Sequence, residues 1–255
     1  MATAIDAVLD AGAIQKARCG RGVTVSKKGG IDLVTEVDLA IERRVRALIE
    51  ERFPTHAILG EELQRPGDRE IRPGFCWVFD PLDGTTNFAH GLPVFCASVG
   101  VELDGVAVFG AVYDPMRDEL FTAERGGGAF LNGERLRVSE APTLIEALLC
   151  TGFPYDVHSR VEELVRLFAA FLGRARAVRR LGSAALDLCY VAAGRFDGFW
   201  EVSLNPWDTC AGALIALEAG ATVTRWDGQP YQSRDETLVA SNGRIHDEML
   251  AVIRR

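Results

Sequence analysis

Between Asp38 and Phe53 the chain sets Val37, Ile41, Val45, Leu48 and Ile49 on one side of a 3.6-residue period, with Glu42, Arg43, Arg46 and Glu50 elsewhere. That pattern predicts an amphipathic helix lying on a core. Thr35 and Asp38 have the spacing of a capping box at its start, with Asp where Glu or Gln is more usual. A further helix is expected before it. From Phe75 the period changes: FCWVFD, VFCASVGVEL and VAVFGAVYD are rich in β-branched and aromatic residues. Asp104-Gly105 between the last two is a hairpin turn signal. ELFTA and GAFLN follow, then Asn132-Gly133 and RLRV, so a largely antiparallel sheet is expected in this half.

The second half alternates. A strand at ALLCTGF precedes a helix from Ser159, where Ser159 and Glu162 have capping-box spacing and Val161, Leu164, Val165, Phe168 and Leu172 are expected to form the buried face. A short strand at residues 175–178 leads to a helix from Ser183 to Gly194. FDGFW reads as a strand, Pro206 to Ala219 as a helix, TLVAS as a strand and the segment from His246 as a helix. Strands alternating with helices predict a more nearly parallel, α/β-like arrangement. SEAPT at residues 139–143 looks like a connector. Two units are therefore expected: an α+β unit over residues 1–141 and an α/β unit over 142–255.

Charge narrows the range of partners. Against 36 Asp and Glu stand 28 Lys and Arg, a net charge of −8. This disfavours a phosphate-backbone partner, because nucleic-acid binding runs on Lys and Arg displacing counterions. The six cysteines show no C-x-x-C pair, and most sit in apolar stretches, as expected of a reduced, cytoplasmic protein. The N-terminal stretch lacks a basic region ahead of an apolar one, so no signal peptide is expected. No apolar run approaches the roughly 20 residues that cross a bilayer, so no membrane partner is expected either.

The candidate chemistry concentrates in WVFDPLDGTTNF, residues 77–88. A hydrophobic strand ends in Asp80, and Asp83-Gly84-Thr85-Thr86 reads as the turn into a helix. Two carboxylates three residues apart at a strand exit can converge on one cation, and Gly84 admits a ligand close to the backbone. Amides of Gly84, Thr85 and Thr86 would face an anion. Carboxylates for a metal beside donors for a phosphate point to metal-assisted phosphoryl chemistry. An isolated D-x-x-D-G is as readily an ordinary turn; the upstream strand and the downstream threonines favour the functional reading. Glu61 and Glu62 after HAILG would more often be a solvated loop, but they supply the carboxylate such a site still lacks. Asp208 could simply complement a helix dipole, Trp207 beside it could be core, and Asp38 could simply cap. All these donors are oxygens and the four histidines are scattered, which favours a hard cation, Mg²⁺ first. Walker A, dinucleotide and G-x-S-x-G signatures are absent. Arg174, Arg176, Arg179 and Arg180 read most simply as a solvated or subunit-facing cluster.

DLVTEVD at 32–38, GEE at 60–62, WVFDPLDGTTNF, GAVYDP at 110–115, GGGAFLNG at 126–133, LGSAALDLCYVAAG at 181–194 and WDTCAGALIALEAGA at 207–221 span the whole chain. In this order they resemble the inositol monophosphatase family of Mg²⁺-dependent, lithium-sensitive sugar phosphatases. The resemblance implies a layered αβαβα sandwich, most metal ligands in the first unit, and commonly a homodimer. It also implies one metal site from Glu61, Asp80 and the Leu82 carbonyl, a second from Asp80, Asp83 and Asp208, and a third, weaker ion near Glu61 and Glu62. Thr85 paired with Asp38 matches the dyad that orients the nucleophilic water, and the Gly84 and Thr85 amides would bind phosphate. Asp83, Ser183, Ala184, Glu201 and Asp208 match positions that touch the substrate's hydroxyls. Lys27 aligns with a lysine near the metal loop. The motif shade favours inositol monophosphate as substrate over fructose bisphosphate, histidinol phosphate or a nucleotide phosphate. Some bacterial relatives also act with the transcription machinery, which leaves a regulatory binding role as the alternative.

Overall fold

The computed structural model describes residues 1–22, 24–27 and 31–254. Helix α1 (Ala2–Arg18) is followed by a small hairpin, β1 (Val25–Lys27) and β2 (Leu33–Thr35), and by α2 (Glu36–Arg52). The capping box is present: the Thr35 hydroxyl accepts from the Val37 and Asp38 amides, and Asp38 accepts from the Thr35 amide. Next come β3 (Ala57–Gly60), β4 (Phe75–Asp83), the single-turn α3 (Thr85–Ala89), β5 (Cys96–Leu103), β6 (Val106–Asp114), β7 (Glu119–Glu124), β8 (Gly128–Leu131) and β9 (Glu134–Arg135). These seven strands form one sheet in sequence order, antiparallel except for the parallel β3–β4 pair. Asp104-Gly105 and Asn132-Gly133 both have positive φ at each residue, the backbone that tight hairpins demand.

The second sheet is mixed. Strands β10 (Leu148–Thr151), β11 (Ala177–Arg179), β12 (Gly198–Val202), β13 (Thr222–Thr224) and β14 (Thr237–Ser241) lie in the order β11-β10-β12-β14-β13. The first three are parallel, and β14 runs antiparallel to both of its neighbours. Helices α4 (Val161–Leu172), α5 (Ala184–Ala192), α6 (Pro206–Glu218) and α7 (His246–Ile253) complete the chain. No helix among the described residues is long and apolar enough to cross a membrane.

The alternation of strand side chains sorts the core into three sheets of contact. Trp77, Phe79, Val99 and Phe109 of the large sheet pack on Ala7, Val8, Ile41 and Ile49 of α1 and α2. The opposite face, with Val112, Phe121 and Ala123, meets α5 and α6, which in turn bury Cys150, Phe199 and Ala240 of the smaller sheet. The alternate residues Leu149, Trp200 and Val239 point outward to Phe171 of α4 and Met249 of α7. The result is a helix–sheet–helix–sheet–helix stack, as expected. Helix α6 reaches the large sheet closely because Gly100 and Gly110 are cross-strand partners there; a Cβ on Gly110 would stand 2.9 Å from the Ala211 carbonyl oxygen.

One helix departs from its expected phase. Helix α4 begins two residues after Ser159, with Arg160 at its N-cap and no side-chain cap, while Ser159 lies in a short 3-10 turn. Val161, Val165 and Leu172 are exposed. Of the expected face, Leu164 is buried and Phe168 packs with Leu167 and Phe171 against the small sheet, so the inward stripe is i, i+3, i+4, i+7 from Leu164. Of the KKGG segment only Lys27 lies within the described residues, exposed at the end of β1.

Candidate active site

Strand β4 carries its hydrophobic run into the core and delivers Asp80 and Asp83, 3% and 8% exposed, at its exit. The pairing with β5 breaks register between these two residues, which lets both turn toward the same side of the fold. Gly84 then takes φ 97° as the N-cap of α3, a left-handed conformation natural to glycine. A Cβ there would also stand 2.8 Å from the Val94 carbonyl oxygen. The first amides of α3 are those a helix start leaves without intrahelical acceptors, and Gly84, Thr85 and Thr86 line a cavity of about 100 Å³.

Asp80, Asp83 and Asp208 are each anchored through one oxygen. Asp80 Oδ1 accepts from the Leu82 amide at 2.8 Å. Asp83 Oδ2 accepts from the Ser183 hydroxyl at 2.6 Å and the Ala185 amide at 2.8 Å, at the start of α5. Asp208 Oδ2 accepts from the Asn205 amide at 2.7 Å, at the start of α6. Asp38, fully buried, gives Oδ2 to the cap of α2 and accepts from the Thr85 hydroxyl through Oδ1 at 3.1 Å. Thr85 also reaches the Leu82 carbonyl at 2.9 Å.

Burial holds the Asp80 carboxyl well above the usual range, and Glu61, Asp83 and Asp208 push it further. Asp208 is raised in the same way by burial, then by Glu61 and Asp83. Asp83 is raised by burial against the opposing hydrogen bonds from Ser183 and the α5 amides. Asp38 is raised by burial against those from Thr35 and Thr85. Among the described residues no three His, Cys, Asp or Glu side chains stand at mutual ligating distance as they are. The donor set nonetheless fits a hard cation: the leading charges acting on Asp80 are three carboxylates of its own sign, a repulsion a divalent ion would reverse.

The cavity gathers Asp83, Gly84, Thr85, Ser183, Ala184, Glu201 and Asp208, every residue expected to touch substrate. Asp80, Glu61 and Glu62 lie outside its lining, and Glu61 is drawn to the site by its effect on Asp80 and Asp208. Glu201, 7% exposed, has its carboxyl pushed up to about 8 by burial and then by Asp187, with Arg180 opposing. No histidine lines the cavity; His246 is tied to Thr224 and Ser241, and His56 accepts from Trp77.

Three residues at or beside the site were given no site role from the sequence. Arg180, read most simply as part of a solvated or subunit-facing cluster, lines the cavity. Asp187 is buried in α5, where the Cys150 thiol donates to it at 3.0 Å, and burial holds its carboxyl well above the usual range. As the one charge in AALDLCYVAA, Asp187 carried a signal. Tyr155 lines the mouth, its phenol pushed up by the packing around it and then by Glu61 and Asp32. Nothing in its sequence neighbourhood marked it.

The whole chain, residues 1–255, matches the model of the inositol monophosphatase family. The chain belongs to the inositol monophosphatase family. A relative from Synechocystis named inositol-1-monophosphatase is 43% identical over 96% of this chain and 85% of its own length. A relative from Escherichia coli K12 named Nus factor SuhB is 44% identical over 91% of this chain and 86% of its own. Among solved structures, the inositol monophosphatase from Anabaena superposes with a TM-score of 0.88 at 38% identity, covering 100% of this chain and 94% of that one. The extragenic suppressor protein suhB from Bartonella henselae superposes at 0.93 and 36% identity, covering 100% and 98%. The family is one of phosphatases and generally metal-dependent; in this member Asp83, Glu201 and Asp208 line the cavity, and Asp80 feels the charges of Glu61, Asp83 and Asp208.

Proposed function

We propose that the protein is a Mg²⁺-dependent phosphomonoesterase that hydrolyses inositol monophosphate to inositol and phosphate, acting as a homodimer. The observation that carries this reading is the cluster of Asp80, Asp83, Asp208 and Glu61, mutually repelling and largely buried, with the Thr85–Asp38 hydrogen bond at its edge. Glu61, Asp80 and the Leu82 carbonyl would hold one Mg²⁺, Asp80, Asp83 and Asp208 a second, and Glu61 with Glu62 a weaker third. When bound, the ions neutralise phosphate charge, acidify the attacking water and stabilise the leaving alkoxide of an in-line displacement.

The chain's own groups do the rest. Thr85 donates its hydroxyl proton to Asp38, which turns an oxygen lone pair outward to accept from the incoming water and fix its line of attack. The Gly84 and Thr85 amides hold phosphate oxygens. Ser183, Ala184 and Glu201 would bind the hydroxyls of the leaving group, and Asp208 would hold the water that protonates the leaving oxygen. No covalent phospho-enzyme is needed.

The test is phosphate release from inositol, histidinol, fructose and nucleotide phosphates, with Mg²⁺, with EDTA and with added Li⁺. Preference for inositol monophosphate, loss of activity in EDTA and inhibition by Li⁺ are expected. A different preferred ester would reassign the substrate. The relatives named Nus factor SuhB favour a second reading, a regulatory protein that binds the transcription machinery. A chain inert on every ester would select it.

A further inference from the structure

Helix α2 supplies more than Asp38. One turn on, and so on the same helical face, Glu42 is 0% exposed. Its Oε2 accepts from the Glu62 amide at 2.6 Å and its Oε1 from the Leu63 amide at 2.8 Å. Arg46, 5% exposed and a further turn along, donates Nε to the same Oε1 at 3.1 Å and lies 3.5 Å from Asp68. Asp68 in turn accepts from the Arg65 amide at 2.8 Å. Gly60 leaves room for this contact, since a Cβ there would collide with the Glu42 carboxylate. The segment after β3, which carries Glu61 and Glu62, is therefore fastened by its backbone to a buried carboxylate on the helix that also presents Asp38.

We infer that Glu42 is a positioning residue for metal binding: it fixes the Glu61-Glu62 backbone at a set distance from the Asp38–Thr85 pair. This rests on the phosphatase reading above. A carboxylate that accepts two consecutive amides defines both the height and the rotation of the loop. A neutral side chain of the same shape cannot do so, because an amide offers one acceptor oxygen and opposes the second N–H with a donor of its own. Glu42 touches neither substrate nor ion; it acts through the loop it holds.

The test is Glu42→Gln, read by electron paramagnetic resonance titration of Mn²⁺ into the substrate-free protein, by the Mg²⁺ dependence of phosphate release, and by hydrogen exchange at the Glu62 and Leu63 amides. Outer-shell partners of metal ligands change affinity by roughly tenfold to a hundredfold, so the variant should bind Mn²⁺ about tenfold more weakly. The two amides should exchange faster and the metal-free protein should melt lower, since Arg46 loses its buried partner, while KM for the ester at saturating Mg²⁺ stays close to wild type. A purely structural role would lower the melting temperature and leave Mn²⁺ affinity and KM of the folded variant unchanged. Where Glu42→Gln does not fold because Arg46 is left buried without its partner, the double variant Glu42→Gln with Arg46→Met is read by the same criteria. Mn²⁺ affinity within twofold of wild type in the folded variant overturns the inference. Failure of the wild-type protein itself to bind Mn²⁺ overturns the phosphatase reading beneath it.

Discussion

Glu201 gives the most quantitative check on the site's electrostatics. Its carboxyl, ordinarily near 4.5, is pushed up to about 8 by burial and then by Asp187. A raised acid binds its proton more tightly in the folded than in the unfolded chain, so between these two values folding stability falls as pH rises. Each pH unit fully inside that window is worth about 1.36 kcal/mol. Between pH 5 and pH 8 the folded state of the metal-free protein should lose about 3.5 kcal/mol through this one group. In Glu201→Gln, which keeps the shape and cannot ionise, that component vanishes. Urea denaturation of both proteins in EDTA at pH 5 and pH 8 reads it as a double difference. Relative to wild type, the variant should gain about 3.5 kcal/mol on going from pH 5 to pH 8. A difference below about 1 kcal/mol would mean that Glu201 is solvated or paired when ionised, and would refute the account of a neutral carboxyl facing the cavity.

Asp80→Asn should abolish turnover and weaken Mg²⁺ binding while the metal-free protein melts no lower than wild type, since the change removes a carboxyl buried among three others; calorimetric titration and thermal melts follow both. Thr85→Val keeps the shape of the α3 start but removes the hydroxyl bonded to Asp38, and should lower kcat by about 10² to 10⁴ with Mn²⁺ affinity unchanged. Gly110→Val drives a branched side chain into the Ala211 backbone and should cost about 3 kcal/mol or more in urea denaturation.

The acids of the candidate site were legible because the same residues do scaffold work. Asp38 was open to a capping reading and a catalytic one, and its two oxygens divide between them. Asp208 likewise ties back to Asn205 at the start of α6 while facing Asp83 and Glu61. Strand alternation marked Phe199 and Trp200 for opposite faces without saying which helices they meet. Helix α4 misled because seven of its twelve residues, from Val161 through Leu172, are large and apolar, so two neighbouring stripes fit the period. Only the flat face of the small sheet selects the one through Leu164 and Phe171. Arg180 was legible only as part of a basic cluster and Tyr155 not at all, because their place at the cavity depends on where the chain after β11 and after β10 folds back, a long-range matter that local spacing does not encode.

Helices α5 and α6 are enclosed between the two sheets, and their first turns hold Asp83 and carry Asp208. The candidate site is thus riveted through the centre of the molecule and not hung on its rim. Nothing can pry the two sheets apart to open or close the pocket without dissolving the seam that both share. Loss of the site and loss of the fold should therefore be a single event. Any fine control over turnover has to arrive from ion supply or from the loops over the mouth, such as the one bearing Tyr155.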